Sequence, residues 1–339
     1  MKHFLTRIRA FLVAAKNTVT RCVKTLTKDN VKHFLFGMKM TDGFVYKFVI
    51  HALLISLGYI YLYPVFYMVI TSFMSMSDLV SANVRWIPSS LNWDNYRLVW
   101  EAINYPRALR EALMLAFFPA LAATVSSALI GYGFAKYRFP FKRTLMVLMI
   151  LTFIVPPQIT MIPTFRMYAN YGLLGSVRAF IYPAILGQGF NGAIYILIFY
   201  SFFRMIPKSL EESAQLDGAS PWQVFTKIAV PLAVPAIIIV FLFSFVWYYN
   251  ETYVSGIFLG YRVSTEPTGD WLLMTLPLRV EQFFAQYDAL FPVGSPAREL
   301  IQSSRMAGNL LAILPLLVLY FFTQRFFVES IDKTGITGE

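Results

Sequence analysis

The chain has 339 residues, of which 57% are hydrophobic and 17% aromatic while only 14% are charged. That composition excludes a soluble globular domain and leaves an integral membrane protein. The formal net charge of +11 would suit a nucleic acid, but the basic residues follow a topological pattern along the chain instead of filling one groove, which excludes that partner.

Residues 1–46 form a basic segment. Lys2, Arg7, Arg9, Lys16, Arg21, Lys24, Lys28, Lys32 and Lys39, with Lys47 just beyond, stand against only Asp29 and Asp42, which places the N terminus in the cytoplasm. Phe4, Ile8, Phe11, Leu12, Ala15, Val19, Val23 and Leu26 recur at helical spacing. Such a helix either lies on an anionic inner leaflet or packs in solvent on a partner, and "TDG" at 41–43 breaks it. The stretch "AFLVAA" is too short for a cleaved signal, because charge resumes at Lys16. Cys22 is the single cysteine, so no intramolecular disulfide forms.

Six apolar runs follow, each near the length a bilayer requires, at roughly 48–72, 110–135, 144–164, 180–203, 229–249 and 306–328. After the first, residues 73–109 contain "WIPSSLNWDNY", an ordered interfacial stretch outside. Between the second and third lies "KYRFPFKR", with Lys136, Arg138, Lys142 and Arg143, as expected on the cytoplasmic side, whereas 165–179 opposite carries only Arg166 and Arg178. Pro119, Pro156, Pro157, Pro163, Pro183, Pro231, Pro235 and Pro315 fall within the runs, so bent helices around a passage are expected, although proline is also common in membrane helices generally. His51, near the inner end of the first run, reads as a structural or snorkelling residue.

Between the fourth and fifth runs, "EESAQLDGASPWQVFTKIAVPLAVP" at 211–235 reads as two short capped helices. Ser209 and Glu212 have capping-box spacing, which starts a helix at Leu210; Gly218 stops it in a left-handed conformation; Ser220, Pro221 and Gln223 start a second. Pro231 and Pro235 then attach this elbow stiffly to the fifth span. Residues 250–305 hold two turn-rich patches, "EPTGDW" and "FPVGSPAREL", around "LLMTLPLRVEQFF", a re-entrant or interfacial helix. The reading is therefore an all-α integral membrane protein with six transmembrane helices and both termini inside. It comprises the N-terminal segment 1–46, a transmembrane domain 47–328, and a cytoplasmic tail 329–339.

Glu212, Ser213 and Ala214, with Gly218, Ile228 and Pro231 at fixed spacing and "DGA" at Asp217–Ala219, resemble the EAA loop of binding-protein-dependent ABC importer permeases. Ser213 departs from the family's middle alanine, and Val230 from its leucine. "GYGFAKYRF" at 131–139, "VPPQITMIPTF" at 155–165, "YGLLGS" at 171–176, "NET" at 250–252, "TLPL" at 275–278 and the tail "QRFFVESIDKTGITGE" are similar to the sugar-importing branch related to the maltose permeases. The resemblance covers the chain from about residue 45 to the end; the long basic N-terminal segment and an insertion at 291–304 depart from it.

The resemblance implies a permease subunit of the bacterial plasma membrane. Its partners would be a second permease, generally a different chain, two ATPase subunits beneath, and an extracytoplasmic binding protein that delivers an oligosaccharide or modified sugar. Glu212, Ser213, Ala214, Asp217, Gly218 and Ala219 would dock the elbow on the ATPase. Among the residues themselves, Gln158, Gln188, Asn191, Asn250 and Glu251 offer hydrogen bonds to sugar hydroxyls, and Tyr168, Trp247, Tyr248 and Tyr249 offer flat faces. Any of these equally suits a helix-to-helix bond or an interfacial anchor. No phosphate-binding "GxxxxGK" run occurs, and His3, His33 and His51 lie far from a metal-ligand spacing. The chain is thus expected to be no enzyme and to hold no cofactor, with ATP and Mg carried by the partner ATPase. A permease for another solute and an ion-coupled secondary transporter remain as alternatives; the latter is expected to carry buried carboxylates and related halves.

Overall fold

The computed structural model describes residues 43–81, 86–260, 273–292, 294–295 and 301–335, with side chains to residue 325. The expectations for residues 1–42, "EPTGDW", residues 293 and 296–300 of the 291–304 insertion and the end of the tail lie outside the described residues. Contacts divide the chain into two units, Met1–Tyr67 and Met68–Glu339.

The first unit's described residues belong to α1 (Phe44–Ser72), which is apolar all round and contains Pro64. His51 Nδ1 lies 2.6 Å from the Lys47 carbonyl one turn back, which agrees with a structural role.

In the second unit a run of small residues decides the packing. Along α4 (Tyr105–Lys136), Ala108, Ala112, Ala116, Ala120, Thr124 and Ala128 recur every four residues and all are buried. A face so thin lets neighbouring backbones approach closely, which is how helices associate without a hydrophobic drive from water. A Cβ on Gly131 would meet the Cβ of Phe199 at 2.6 Å. Around α4 pack α7 (Arg178–Ile185), α8 (Gly192–Met205), α12 (Val234–Asn250) and α14 (Leu276–Ala289).

Before α4, α2 (Met76–Val80) and α3 (Asp94–Ala102) lie in the described parts of the 73–109 stretch, 73–81 and 86–109. Ser75 and Asp78 form a capping box, Ser89 Oγ donates to Asp78 Oδ1 at 2.6 Å, and Asn95 Nδ2 donates to the carbonyls of Ser72 and Met74. At the other end of the chain, α15 (Gln302–Gly335) receives the Tyr105 and Tyr249 hydroxyls on its Leu311 and Ala312 carbonyls.

Among the described residues three helices, α1, α4 and α15, are long and apolar enough to cross a bilayer, and the count reaches six if each of three bent pairs is one span. The bends expected from the prolines occur in the third and fifth runs, and the fourth run is broken as well. The third divides into α5 (Lys142–Ile154) and α6 (Pro157–Asn170), bent by 97°. Val155, with ψ 117°, and Pro156, with ψ 135°, each precede a proline that drives the residue before it out of the helical region. The fourth is interrupted between α7 and α8 by "GQGFNG" at 187–192, where Gly187 and Asn191 take positive φ. The fifth turns by 75° at Ala233. Pro119 and Pro315, by contrast, stay inside long helices.

Candidate functional site: a capped elbow and an uncharged cavity

Lys208–Leu216 forms α9, followed by α10 (Pro221–Val224), a π-helical turn over Phe225–Ala229, and α11 (Val230–Leu232). The expected Ser209–Glu212 capping box is not formed. Pro207, with φ −57° and ψ 134°, is the N-cap and accepts the Leu210 amide, so the helix begins at Lys208 and Ser209 already lies inside it.

The far end of α9 is as the sequence requires. Gly218 has φ +86°, its amide reaches the Gln215 carbonyl at 3.0 Å, and the Ala219 amide reaches back to Ala214 at 2.9 Å. These paired bonds satisfy the last carbonyls of the helix in a Schellman arrangement. Ser220 Oγ accepts the Gln223 amide and Gln223 Oε1 accepts the Ser220 amide at 2.8 Å, so the second capping box is present.

The elbow has two faces. Phe225 and Ala229 are buried in a cluster with Tyr132, Phe199 and Phe203, and Val224 is buried as well. Glu212, Ser213, Asp217 and Gly218 face outward, with Ala214 and Ala219 half-buried behind them. Leu216 is 89% exposed and Trp222 63%, two large apolar side chains on an otherwise polar turn. The attachment to α12 is not a straight continuation: the π-helical turn and the bend at Ala233 intervene.

One joint escaped sequence reasoning. Lys136, the last residue of α4, donates to the Ile206 carbonyl at the end of α8 at 2.9 Å, and its Nζ lies 2.8 Å from Glu211 Oε1 as an ion pair without hydrogen-bond alignment. The only signal for it was an acid in the first turn of the elbow helix.

A cavity of about 590 Å³ lies among α5, α6, the 187–192 break, Trp247 of α12, and Val254 and Phe258 of α13 (Tyr253–Leu259). Its polar lining comes from Thr152, Thr160, Thr164, Gln188 and Asn191, its rings from Tyr168 and Trp247 with Phe153, Phe190 and Phe258, and among the described residues no charged side chain lines it. The threonine hydroxyls donate to carbonyls of their own helices, to Met149, Pro157 and Thr160 respectively; their lone pairs still accept. Unwound backbone at this depth requires partners. Ser126 Oγ of α4 donates to the Ala184 carbonyl at 2.6 Å, and the Tyr248 hydroxyl accepts the Phe190 amide at 3.3 Å. Gly189 leaves room for that ring, since a Cβ there would lie 2.7 Å from the Tyr248 hydroxyl.

The residues expected along the sugar path divide accordingly. Gln188 and Asn191 line the cavity with Tyr168 and Trp247, while Gln158 is exposed on α6 and absent from the lining. Tyr249 is fully buried, with its hydroxyl engaged by the Ala312 carbonyl at 2.8 Å. Glu251 accepts the Val254 and Ser255 amides at 2.8 and 2.6 Å, anchoring the start of α13. Asn250 borders a second cavity, of about 480 Å³, with Glu281, Arg305 and Asn309. Tyr249 and Glu251 thus act within the fold.

Several characterised proteins are similar to the chain. The permease protein YtcP of a polygalacturonan/rhamnogalacturonan transport system in Bacillus subtilis is 28% identical over 87% of this chain and 99% of its own length. AmyC of Thermoanaerobacterium thermosulfurigenes, a probable permease protein for starch degradation products, is 28% identical over 85% of this chain and 96% of its own. A crystal structure of a bacterial ABC transporter involved in the import of the acidic polysaccharide alginate superposes with a TM-score of 0.66 at 19% identity, covering 84% of this chain and 96% of the other, and shares the fold. The family model of the binding-protein-dependent transport system inner membrane components matches residues 127–333, which hold the elbow, the three helix breaks and the cavity-lining threonines and amides; the chain belongs to that family.

Proposed function

We propose that the chain is one permease subunit of an ATP-driven importer that moves a carbohydrate, handed over by an extracytoplasmic binding protein, into a bacterial cell by alternating access. The observation that carries this reading is the elbow. Gly218 and two sets of caps hold a rigid turn with Glu212, Ser213 and Asp217 outward and Leu216 at its tip, a body suited to receive force from a separate ATPase. Two ATPase subunits and a second permease complete the assembly, and ATP binding there biases the helices between inward-facing and outward-facing arrangements.

The transmembrane domain in this reading covers 47–328, between the basic segment 1–46 and the tail 329–339. Its six passes are α1, α4, α5 with α6, α7 with α8, α12 and α15. Both ends face the cytoplasm, supported by the ten basic residues named before the first span and by "KYRFPFKR" on the same side.

The names of YtcP and AmyC support a carbohydrate cargo. The cavity favours one kind: hydroxyls, amides and aromatic rings, with no charged side chain among the described lining residues, suit an uncharged oligosaccharide, because a uronate carboxylate entering there would lose hydration without a cationic partner. Copurification tests the assembly. An ATPase and a second permease are expected to travel with this chain, and its isolation from a native membrane without either would contradict the reading.

A further inference from the structure

Three helix ends meet at one ammonium group. Lys136 closes α4, its Nζ donates to Ile206 at the C-terminal end of α8, and it faces Glu211 in the first turn of α9. The carbonyl-bearing end of α8 favours a cation and the amide-bearing end of α9 favours an anion, so both partners sit where the helix dipoles place them. The two side chains are only 8% and 12% exposed, which shields the pair from the screening that weakens surface ion pairs. One turn back on α4, the Tyr132 ring lies 5.2 Å from Phe203 of α8 and 4.8 Å from Phe225 of the elbow. α8 and α9 diverge by 71°, and Lys136 occupies the angle between them.

α4 continues unbroken from this joint to the opposite end of the domain. There Glu111 Oε2 accepts from Arg279 of α14 at 2.6 Å, and Arg279 is 2% exposed. Glu111 and Lys136 are about 38 Å apart along the helix at 1.5 Å per residue, so one rod is fastened by charge at both ends.

We propose that Lys136 is a positioning residue for transport coupling: its ion pair with Glu211 clamps α9 to α4, so that displacement of the elbow is delivered along α4 to α14. The proposal rests on the elbow being the ATPase contact. An apolar contact in the same place would keep the helices together yet permit them to slide, whereas a cation shared between a carbonyl and a carboxylate fixes their angle.

The test uses the complete complex in proteoliposomes, with Gln215→Cys, at an exposed position of α9, in a Cys22→Ser background as a cross-linking probe to the ATPase. Lys136→Met leaves Glu211 without its cation and is expected to unfold more readily. The double variant Lys136→Met/Glu211→Leu removes both charges, a change buried pairs generally tolerate. It is expected to insert, unfold at the parent temperature and cross-link as the parent does. Its sugar- and binding-protein-stimulated ATP hydrolysis should fall about tenfold, the scale of a coupling free energy between sites. Lys136→Arg is expected to retain stimulation. Parent-level stimulation in the double variant, with cross-linking intact, would overturn the role of Lys136 while leaving the elbow reading standing. Absence of cross-linking in the parent would remove the elbow reading and the proposal with it.

Discussion

Arg279 of α14 donates from Nη2 to Glu111 Oε2 of α4 at 2.6 Å, joining positions 168 residues apart, while Arg107 holds the other carboxylate oxygen at 2.8 Å. This three-membered cluster is where the segment after α12 is tied to the central helix. Breaking a buried pair leaves an uncompensated charge, so Arg279→Met is expected to destabilise the protein by about 3–5 kcal/mol. Removing Glu111 as well should recover much of that loss, because Arg107 is 36% exposed and can turn to water. Thermal unfolding in detergent of the single and double variants checks both statements.

Gly218 separates folding from docking. A Cβ there meets nothing within 4 Å, so Gly218→Ala bears only the left-handed backbone cost of about 1–2 kcal/mol and is expected to insert normally and transport at a reduced rate. Gly218→Trp places bulk on the exposed turn and is expected to abolish uptake while membrane insertion persists. Uptake and membrane yield, measured on the same preparations, distinguish the two effects.

The two serines of the elbow are expected to behave differently. Ser220→Ala removes a cap that accepts the Gln223 amide and should cost about 1 kcal/mol, whereas Ser209→Ala, inside α9 with no capping bond, should change stability little. Amide hydrogen exchange of residues 208–229 reads the difference, with faster exchange near α10 in the first variant alone.

Gln188 and Asn191 are expected to act on cargo. Replacing Gln188 with Met keeps the side chain's length and removes a hydrogen-bonding group that faces the cavity, while Asn191, at φ +56°, is left in place because an apolar residue there would strain the backbone. Half-saturating sugar for stimulated ATP hydrolysis should rise about tenfold, the effect of one or two lost hydrogen bonds, with unfolding temperature unchanged. Gly189→Ala, whose Cβ would press on the Tyr248 hydroxyl and on Ala184, should instead lower the unfolding temperature.

Asp78 gives a pH dependence of defined sign. The Ser89 hydroxyl, followed by bonds at Ser75, holds its carboxyl below the usual 3.8. A lowered folded-state value means that the stabilisation is present above 3.8 and is lost as pH falls through the folded value. Asp78→Asn should therefore narrow the stability gap between neutral and strongly acidic pH, as read by thermal unfolding.

What the sequence disclosed and what it withheld follow from the range of each interaction. The Schellman turn at Gly218 and the box at Ser220 rest on contacts within six residues, so spacing alone specified them. Ser209 failed because Pro207, two residues earlier, offered a competing start. Pro156 and Pro157 marked the bend between α5 and α6 in the sequence, whereas hydropathy, blind to angle, ran α7 into α8 across the break at Gly187 and Asn191. The roles of Tyr249, Glu251, Lys136 and Arg279 depend on partners 3 to 168 residues away, and side-chain type alone could not separate a sugar contact from a bond within the fold.

The central claim is that a separate ATPase drives this chain through the elbow, and concentrative uptake of an uncharged oligosaccharide into proteoliposomes measures it most directly. Uptake is expected to require the ATPase subunits, ATP and the binding protein together, and to vanish with Gly218→Trp. Accumulation of sugar by the chain alone, or undiminished uptake with Gly218→Trp, would contradict the account.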